Sequence, residues 1–441
     1  MPLLSLRSTF GLVLALALLA PPGPAQELPT ALPEAVGLSG ERLQRVSRAL
    51  DGYVDRGDLP GGVALVVRRG RVAYAHAFGD LDREGNVAMP LDAIFRIASQ
   101  TKALVSVAIL LLQEEGQLLL SDPVSRYLPA FAETTVAMPD GNGGYRIEPA
   151  RRPVTIRDLL THTAGVGYGG GPARDLWADA GIQGWYFAHR REPIRATVDR
   201  IASLPFEAHP GERFVYGYST DILGAVVEVV SGTPLDAFLQ WEIFEPLGMT
   251  DTHFYLPTEK TPRLATVYGR SQDGPLIRAP DGPGGEAQGQ YVEGPRASFS
   301  GGAGLLSTAR DYARFLQMLL NGGELDGRRI LSPNTVQLMT VNHVEDRFEA
   351  PGVGFGLGFS VVEDLGARGV PGSVGEFGWG GAYHSVYWVD PAEELVVVYF
   401  TQVIPAPGLD DHAKLRALVY QAIVESEAEQ PQVMAPSRVR R

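Results

Sequence analysis

The sequence predicts an α/β domain joined to a helical domain, with one β-sheet assembled from both ends of the chain. Strand-like apolar runs occur at residues 62–78 and again after residue 350, whereas the chain between them reads mainly as helices separated by loops. An isolated two-stranded hairpin is barely stable, so strands from the two ends are expected to pair. A chain of 441 residues is long enough for one large or two medium domains.

The individual elements support this division. The predicted helices are 38–53, 95–116, 155–162, 220–230, 234–244, 308–320 and 409–424, and the predicted strands are the hairpin 62–78 and then 356–362, 383–389 and 395–401. Gly and Pro gather at 139–152, 165–172 and 281–295, which predicts long loops. The predicted domains are therefore 36–100 with 327–426 for the sheet, 101–326 for the helices and the loops of a substrate pocket, and 427–441 for a disordered tail.

The N-terminus predicts export. Arg7 precedes an apolar run at 10–20, which is shorter than the ~20 residues that a membrane span needs, and small residues follow at 23–25. We interpret residues 1–25 as a signal peptide, so the expected location is the periplasm or the outside of a bacterial cell. After cleavage no membrane span is expected.

Composition restricts the possible partners. The net charge of −13 and the pI of about 5.2 oppose binding to nucleic acid or to an anionic membrane. Cysteine is absent, and the eight histidines form no metal-ligand motif, so neither a metal nor a cofactor is expected. These features favour a small-molecule substrate, and they leave the oligomeric state open.

The helix predicted at 95–116 begins with a catalytic motif. Ser99 and Lys102 are three residues apart, so they are neighbours on one helical face. The turns that follow are apolar on nearly every side, which places this helix in the interior of a domain. A hydroxyl beside an amine at a buried helix N-terminus is the S-x-x-K arrangement of serine acyl-transfer enzymes.

Lysine usage strengthens this interpretation. Only three of the 38 basic residues are lysines, and only Lys102 has a serine three positions earlier. Arginine keeps its proton in proteins, whereas a buried lysine can lose it. We therefore expect Lys102 to be a neutral amine near pH 7, which requires a pKa about three pH units below the usual ~10.4.

Two further stretches offer partners for Ser99. Tyr216 lies in a Pro-Gly loop that leads into an apolar helix, and a tyrosine near a lysine can share the role of general base. The glycine-rich run 375–385 precedes a strand, where glycine allows a ligand to approach the backbone. The N–H groups of Ser99 and Ala382 are candidates for an oxyanion hole. The alternative for this run is a β-bulge without a ligand.

These three motifs, in this order, resemble those of the penicillin-recognising serine hydrolases, and more narrowly those of class C β-lactamases and family VIII carboxylesterases. The similarity extends from about residue 36 to 425 and includes the runs 159–165 and 300–305. The resemblance implies a β-lactamase/transpeptidase-like fold with an antiparallel sheet. It also implies Ser99 as nucleophile, Lys102 and Tyr216 as general base, and the N–H groups of Ser99 and Ala382 as oxyanion hole.

Departures from the β-lactamase pattern favour an esterase. Trp379, Gly380 and Gly381 stand where β-lactamases have Lys-[Ser/Thr]-Gly, whose lysine holds the substrate carboxylate. An indole offers an apolar wall instead of a charge-assisted hydrogen bond. Tyr218 stands where class C enzymes have asparagine, as in many of the esterases. We interpret these four residues as substrate-binding.

Three other residues are candidates for the site or for the structure around it. Tyr168, among five glycines, lines the acyl pocket or belongs to a mobile loop. His384 faces the cleft as a substrate-binding residue, or it is structural, as a lone histidine more often is. His162 is expected to be packed and hydrogen-bonded.

The leading hypothesis is an exported serine hydrolase that cleaves carboxylic esters through an acyl-enzyme on Ser99. The first alternative is a β-lactamase or D-amino-acid peptidase of the same fold. The second is a non-catalytic envelope binding protein, which the presence of Ser99, Lys102 and Tyr216 together opposes.

Overall fold

The computed structural model describes residues 27–271 and 274–428. The predicted signal peptide at 1–25 and most of the predicted tail at 427–441 lie outside the described residues. The helices are α1 (Gly40–Asp55), α2 (Thr101–Glu114), α3 (Ile156–Leu160), α4 (Arg174–Asp179), α5 (Ile194–Ala202), α6 (Ser219–Ser231), α7 (Leu235–Leu239), α8 (Glu245–Leu247), α9 (Ala309–Leu320), α10 (Pro333–Met339), α11 (Leu365–Arg368) and α12 (Asp411–Tyr420). A π-helical turn at Gln240–Phe244 connects α7 to α8.

The strands form one large sheet and several short pairs. In chain order they are β1 (Gly61–Arg68), β2 (Arg71–Asp82), β3 (Val87–Ala88), β4 (Phe95–Arg96), β5 (Thr135–Pro139), β6 (Tyr145–Pro149), β7 (Tyr268–Arg270), β8 (Leu276–Arg278), β9 (Leu306–Ser307), β10 (Glu324–Leu325), β11 (Arg328–Arg329), β12 (Val353–Phe355), β13 (Ser360–Val362), β14 (Phe377–Gly381), β15 (Ser385–Asp390) and β16 (Leu395–Thr401). The large sheet has the order β12-β13-β14-β15-β16-β1-β2-β3.

The two ends of the chain meet at the centre of this sheet. β1 pairs antiparallel with β16, and Val63 lies opposite Phe400 in the register. The neighbouring pairs are antiparallel as well. The predicted sheet from both chain ends, antiparallel and flanked by helices, is therefore confirmed.

Both faces of the sheet are covered, which explains why β1 and β16 are buried along their whole length. Successive side chains of a strand point to opposite faces. Leu65 and Val398 pack into the core shared with α2, α6 and α9. Val66 and Val397 pack into the smaller core beneath α1 and α12. The site described below lies on the first of these faces.

Helix α2 lies between the large sheet and the other helices of the helical domain. Eleven side chains of α2 are buried, in agreement with its apolar sequence, and the helix packs against α6 and α7. Helix α9, which was predicted as part of the helical domain, packs on β16 and β1. The loop predicted at 139–152 contains β6 and the turn that joins it to β5. In the described part of the chain, no single helix passes the length and hydropathy test for a membrane span, and one pair bent by 82°, Ser219–Ser231 with Leu235–Leu247, passes it together.

Candidate active site

Ser99 lies in a short 3-10 turn, Ala98–Gln100, that leads directly into α2. Ala98 immediately before it has φ of 42°, a left-handed conformation that is unfavourable for alanine and typical of functional turns. The residue before this turn is fixed by a backbone hydrogen bond, in which the Ile97 N–H donates to the Leu305 carbonyl across 3.1 Å. Ser99 is half-buried, in contrast to its neighbours Ala98 and Gln100, which are buried.

The Lys102 amine lies one turn further along and is 1% exposed. Its Nζ donates to Ser99 Oγ at 3.3 Å, to the Tyr168 hydroxyl oxygen at 3.1 Å and to the Gly302 carbonyl at 2.8 Å. It also lies 4.6 Å from the centre of the Tyr216 ring. An ammonium has three N–H donors, and here each of them has an acceptor.

The expectation of a neutral amine differs from what the structure shows. Burial lowers the pKa of Lys102, whereas Tyr168 and Tyr216 raise that pKa by Coulombic attraction and hydrogen bonding, and the net direction is upward. Burial also raises the pKa of the Tyr168 phenol. The expectation rested on burial and on the helix dipole; the sequence placed Tyr216 near Lys102 but did not place Tyr168 there. Lys102 and Tyr168, which are joined by a hydrogen bond, therefore share their protons as a pair.

Tyr168 reaches Lys102 from a glycine-rich loop that packs closely on its neighbours. A Cβ at Gly165 would lie 2.0 Å from the Ala208 carbonyl oxygen, and one at Gly167 would lie 1.8 Å from the Glu207 carboxylate. Glycine at these positions lets the loop approach the 207–208 segment. Tyr168 therefore contacts the Lys102 amine directly, in addition to the predicted lining of the acyl pocket.

Tyr216 and Trp379 form the opposite side of the groove. The Trp379 indole N–H donates to the Tyr216 hydroxyl oxygen across 3.0 Å, and the ring centres are 5.5 Å apart. Phe355 and Phe348 pack on Trp379 at 5.2 and 6.1 Å. The predicted catalytic residues and the predicted indole wall are thus brought together, and the wall is aromatic.

The end of β14 lies against the Ser99 turn. A Cβ at Gly381 would lie 2.6 Å from the Ile97 carbonyl oxygen, so glycine is required for this approach. Ala382 follows at the tip of the hairpin and packs in a small cluster with Ala98 and Tyr383. This proximity is compatible with the predicted pair of oxyanion N–H donors from Ser99 and Ala382.

Comparison with known proteins decides the family. The family model described as Beta-lactamase matches residues 46–421. This chain belongs to the Beta-lactamase family.

Relatives and solved structures indicate the branch of this family. Esterase EstB of Burkholderia gladioli is 34% identical over 385 residues, which cover 84% of this chain and 93% of the esterase. A putative D-alanyl-D-alanine carboxypeptidase of Escherichia coli (strain K12) is 29% identical, with 86% of each chain covered. The structure of EstCE1, described as a hydrolase with promiscuous acyltransferase activity, aligns with a TM-score of 0.71 at 32% identity, covering 86% of this chain and 98% of EstCE1. This member of the family is a serine hydrolase related to esterases.

The structure corrects the prediction that Tyr218 contacts substrate. Tyr218 is 0% exposed, and its hydroxyl donates to the Gly184 carbonyl across 2.6 Å. Its ring stacks on Trp177 and meets the Tyr168 ring edge-on at 5.0 Å. Tyr218 is therefore a buried packing residue that contacts the Tyr168 ring. Sequence alone did not show which way its ring points.

For His384 the structure supports the structural alternative rather than the substrate-binding one. Its Nε2 lies 2.7 Å from the Asp411 carboxylate, and its ring stacks on His412 at 4.0 Å. Both partners belong to α12, which covers the other face of the sheet. These contacts give His384 a structural role at the tip of the hairpin that carries Ala382.

The same three residues form a group of potential metal ligands. Donor atoms of His384, Asp411 and His412 lie within 4.8 Å of one another. The two imidazole rings are only 17° from parallel, so their nitrogen lone pairs cannot point at one ion unless a ring rotates. Tyr399 donates to the second Asp411 oxygen at 2.7 Å. The geometry is that of a hydrogen-bonded cluster.

His162 is packed as expected, between Tyr216 at 4.7 Å and Phe355 at 5.7 Å. Its Nδ1 is buried and has no hydrogen-bond partner among the described residues, contrary to the expected hydrogen bonding. Burial, followed by the nearby Lys102 charge, holds the pKa of His162 well below its usual value. The imidazole that packs against the Tyr216 ring is therefore neutral.

Two functional contacts were absent from the sequence interpretation. The Gly302 carbonyl accepts the shortest Lys102 hydrogen bond, although the run 300–305 was assigned to the scaffold. The Trp379 N–H contacts the general-base candidate, although Trp379 was predicted only as a wall. The double glycine at 301–302 was the one local signal that pointed to a close backbone approach.

Proposed function

We propose that this chain hydrolyses neutral carboxylic esters through an acyl-enzyme on Ser99. The observation that carries the proposal is the position of Trp379, whose N–H lies 3.0 Å from the Tyr216 oxygen where a β-lactamase has a cation. The wall continues into Phe355 and Phe348. An apolar wall favours an uncharged substrate over an anionic one.

The arrangement of lysines supports the same preference. Lys260 is ion-paired with Asp251, and Lys414 with Asp410. Among the described residues, Lys102 is therefore the lysine that reaches this groove, and its three hydrogen bonds are already used. A substrate carboxylate would find no free ammonium beside Trp379.

Acylation proceeds by transfer of one proton away from Ser99. Ser99 Oγ forms a bond to the ester carbonyl carbon, while its proton passes to the Tyr216 phenolate. The Lys102 ammonium and the Trp379 N–H stabilise negative charge on that phenolate. The proton then passes to the departing alkoxide as the bond between the carbonyl carbon and the alcohol oxygen breaks.

Deacylation repeats these steps with water as the nucleophile. Tyr216 takes a proton from the water, whose oxygen attacks the acyl carbon, and the proton returns to Ser99 Oγ as the acid leaves. In both steps the carbonyl oxygen carries negative charge. The N–H groups of Ser99 and Ala382 are the proposed donors to it, which the contact between Gly381 and Ile97 supports.

The second candidate is hydrolysis of a peptide or β-lactam bond at the same serine. The 29% identity to a putative D-alanyl-D-alanine carboxypeptidase favours it. The two candidates differ in substrate charge, since penicillins and D-alanyl peptides carry a carboxylate. A non-catalytic binding protein, the third possibility, is opposed by the direct contact between Ser99 and Lys102.

The proposed location is the periplasm or the cell exterior, which rests on the N-terminal sequence alone. The proposed partner is a small-molecule ester, and the net charge of −13 opposes nucleic acid.

A side-by-side assay tests the proposal. Wild type and Ser99→Ala are compared on p-nitrophenyl butyrate, a D-alanyl-D-alanine peptide and nitrocefin. We expect fast hydrolysis of the butyrate ester only, and loss of it in Ser99→Ala. Nitrocefin or peptide turnover as fast as ester turnover would replace this proposal by the second candidate. A fluorophosphonate that fails to label Ser99 would favour the binding protein.

A further inference from the structure

A buried carboxylate, that of Asp221, is connected to Lys102 through the backbone of one residue. Asp221 is in the first turn of α6 and is 1% exposed. One of its oxygens accepts from the Ser300 hydroxyl at 2.6 Å and from the Gly302 N–H at 3.1 Å. The carbonyl of the same Gly302 accepts from Lys102 Nζ at 2.8 Å. A single residue therefore connects the buried acid to the catalytic amine.

The turn between the two charges is packed without room for side chains. A Cβ at Gly302 would lie 2.3 Å from the Asp221 carboxylate, and one at Gly301 would lie 2.5 Å from the Thr220 carbonyl oxygen. The Ser300 hydroxyl also accepts from the Ala303 N–H at 3.2 Å, which closes the turn. The direction of the Gly302 carbonyl is thus fixed by α6.

The Asp221 carboxylate can compensate the positive charge of the buried Lys102 amine. A buried ammonium is unfavourable unless negative charge lies nearby. Among the described residues, Lys102 has no carboxylate within salt-bridge distance. Burial raises the pKa of Asp221, while the Ser300 hydrogen bond and the Lys102 charge oppose that shift and favour the ionised carboxylate. The helix N-terminus around Asp221 further stabilises a carboxylate there. The two charges therefore compensate each other across one peptide unit.

We propose that Asp221 is a positioning residue, which aims the Gly302 carbonyl at Lys102 and supplies the negative charge that balances the buried ammonium. The inference rests on the proposed function, because it concerns the protonation of the same general-base group. Other titratable groups face this pair from their own elements: Tyr168, Tyr216, Tyr218 and His162.

The pH profile of kcat/KM separates a charge effect from a structural one. Asp221→Asn keeps the hydrogen-bond acceptor and removes the charge, so the proton of the Lys102 and tyrosine group should leave more easily. The acid limb of the p-nitrophenyl butyrate profile should move to lower pH by about one pH unit. Asp311→Asn, which removes a different buried carboxylate, should leave the limb in place.

An unfolding cycle gives a readout that does not depend on activity. Urea unfolding of Lys102→Met, Asp221→Asn and the double variant should be non-additive, with the double variant less destabilised than the sum of the single changes. If Asp221→Asn does not fold, the double variant should recover a folded state, and failure to recover it overturns the inference.

The outcomes are distinct. An unmoved acid limb together with additive unfolding overturns the role of Asp221 and leaves the esterase proposal standing. Absence of fluorophosphonate labelling at Ser99 in the wild type overturns the proposed function, and this inference with it.

Discussion

The Lys102 amine donates to the Tyr168 hydroxyl across 3.1 Å, from a loop that approaches its neighbours through glycines. This contact gives Lys102 two phenol neighbours, Tyr168 and Tyr216, rather than one. Of these two tyrosines, Tyr216 receives a hydrogen bond from the Trp379 indole N–H. In the proposed mechanism the two tyrosines therefore have different tasks: Tyr216 carries negative charge during the reaction, and Tyr168 orients the amine.

Tyr168→Phe tests this division of labour. The variant keeps the ring and removes the oxygen that accepts from Lys102, so we expect kcat/KM for p-nitrophenyl butyrate to fall about 10- to 100-fold. Tyr218→Phe is the matched control, because it removes a buried hydroxyl behind the site that contacts Gly184. The control should lose about 1 kcal/mol of unfolding free energy and keep its activity. Equal losses of activity in both variants would contradict the direct role of Tyr168.

Trp379→Phe tests the hydrogen bond to the general base. Phenylalanine keeps an aromatic wall and removes the N–H that lies 3.0 Å from the Tyr216 oxygen. We expect kcat to fall about tenfold with little change in KM, because the lost stabilisation belongs to the transition state. Trp241→Phe, at a site 58% exposed, is the control. A rise in KM with kcat unchanged would show that Trp379 only binds substrate.

Lys102→Arg tests whether the compact amine is needed in this position or whether positive charge alone is sufficient. The guanidinium keeps the positive charge but is larger than the amine, in a position 1% exposed, and cannot be deprotonated. We expect activity to fall nearly as far as in Ser99→Ala, while Lys260→Arg remains active. An active Lys102→Arg enzyme would mean that positive charge beside Tyr216 is sufficient.

Most of the fold was predictable because it depends on patterns of apolar residues. The buried α2 helix and the pairing of β1 with β16 follow from hydrophobic runs at the two ends. The S-x-x-K spacing then places Ser99 beside Lys102, since residues three apart share a helical face.

The surroundings of Lys102 were not predictable, because they depend on loops. Tyr168 and Gly302 reach the amine through turns rich in glycine, whose conformations are set by contacts distant in sequence. The same reason explains why the substrate-binding assignment of Tyr218 was wrong and why that of His384 was left open. Each lies close in the chain to a predicted site residue, but packing turns its ring toward another element.

Asp311 gives a prediction for stability rather than activity. Burial raises the pKa of Asp311 to about 6, from a usual value of 3.8. The folded protein therefore binds a proton more tightly than the unfolded chain, and this contribution to stability is present below about pH 4 and is lost as the pH rises through 6. Asn at this position keeps the acceptor for the Asp251 N–H.

The measurement is urea unfolding of wild type and Asp311→Asn between pH 4 and 7. We expect the wild type to lose stability relative to the variant as the pH rises through this window, because the titration of other groups is common to both proteins. Parallel stability curves would show that Asp311 titrates at an ordinary pH.

The central claim is that Ser99 becomes acylated with the help of Lys102 and Tyr216. The most direct measurement is the intact mass, followed by peptide mapping, of enzyme quenched in acid during turnover of p-nitrophenyl butyrate. The account predicts one added butyryl group on the peptide that contains Ser99, and none in Ser99→Ala or Lys102→Arg. Steady ester turnover by Ser99→Ala, or a butyryl group found only on another residue, would contradict it.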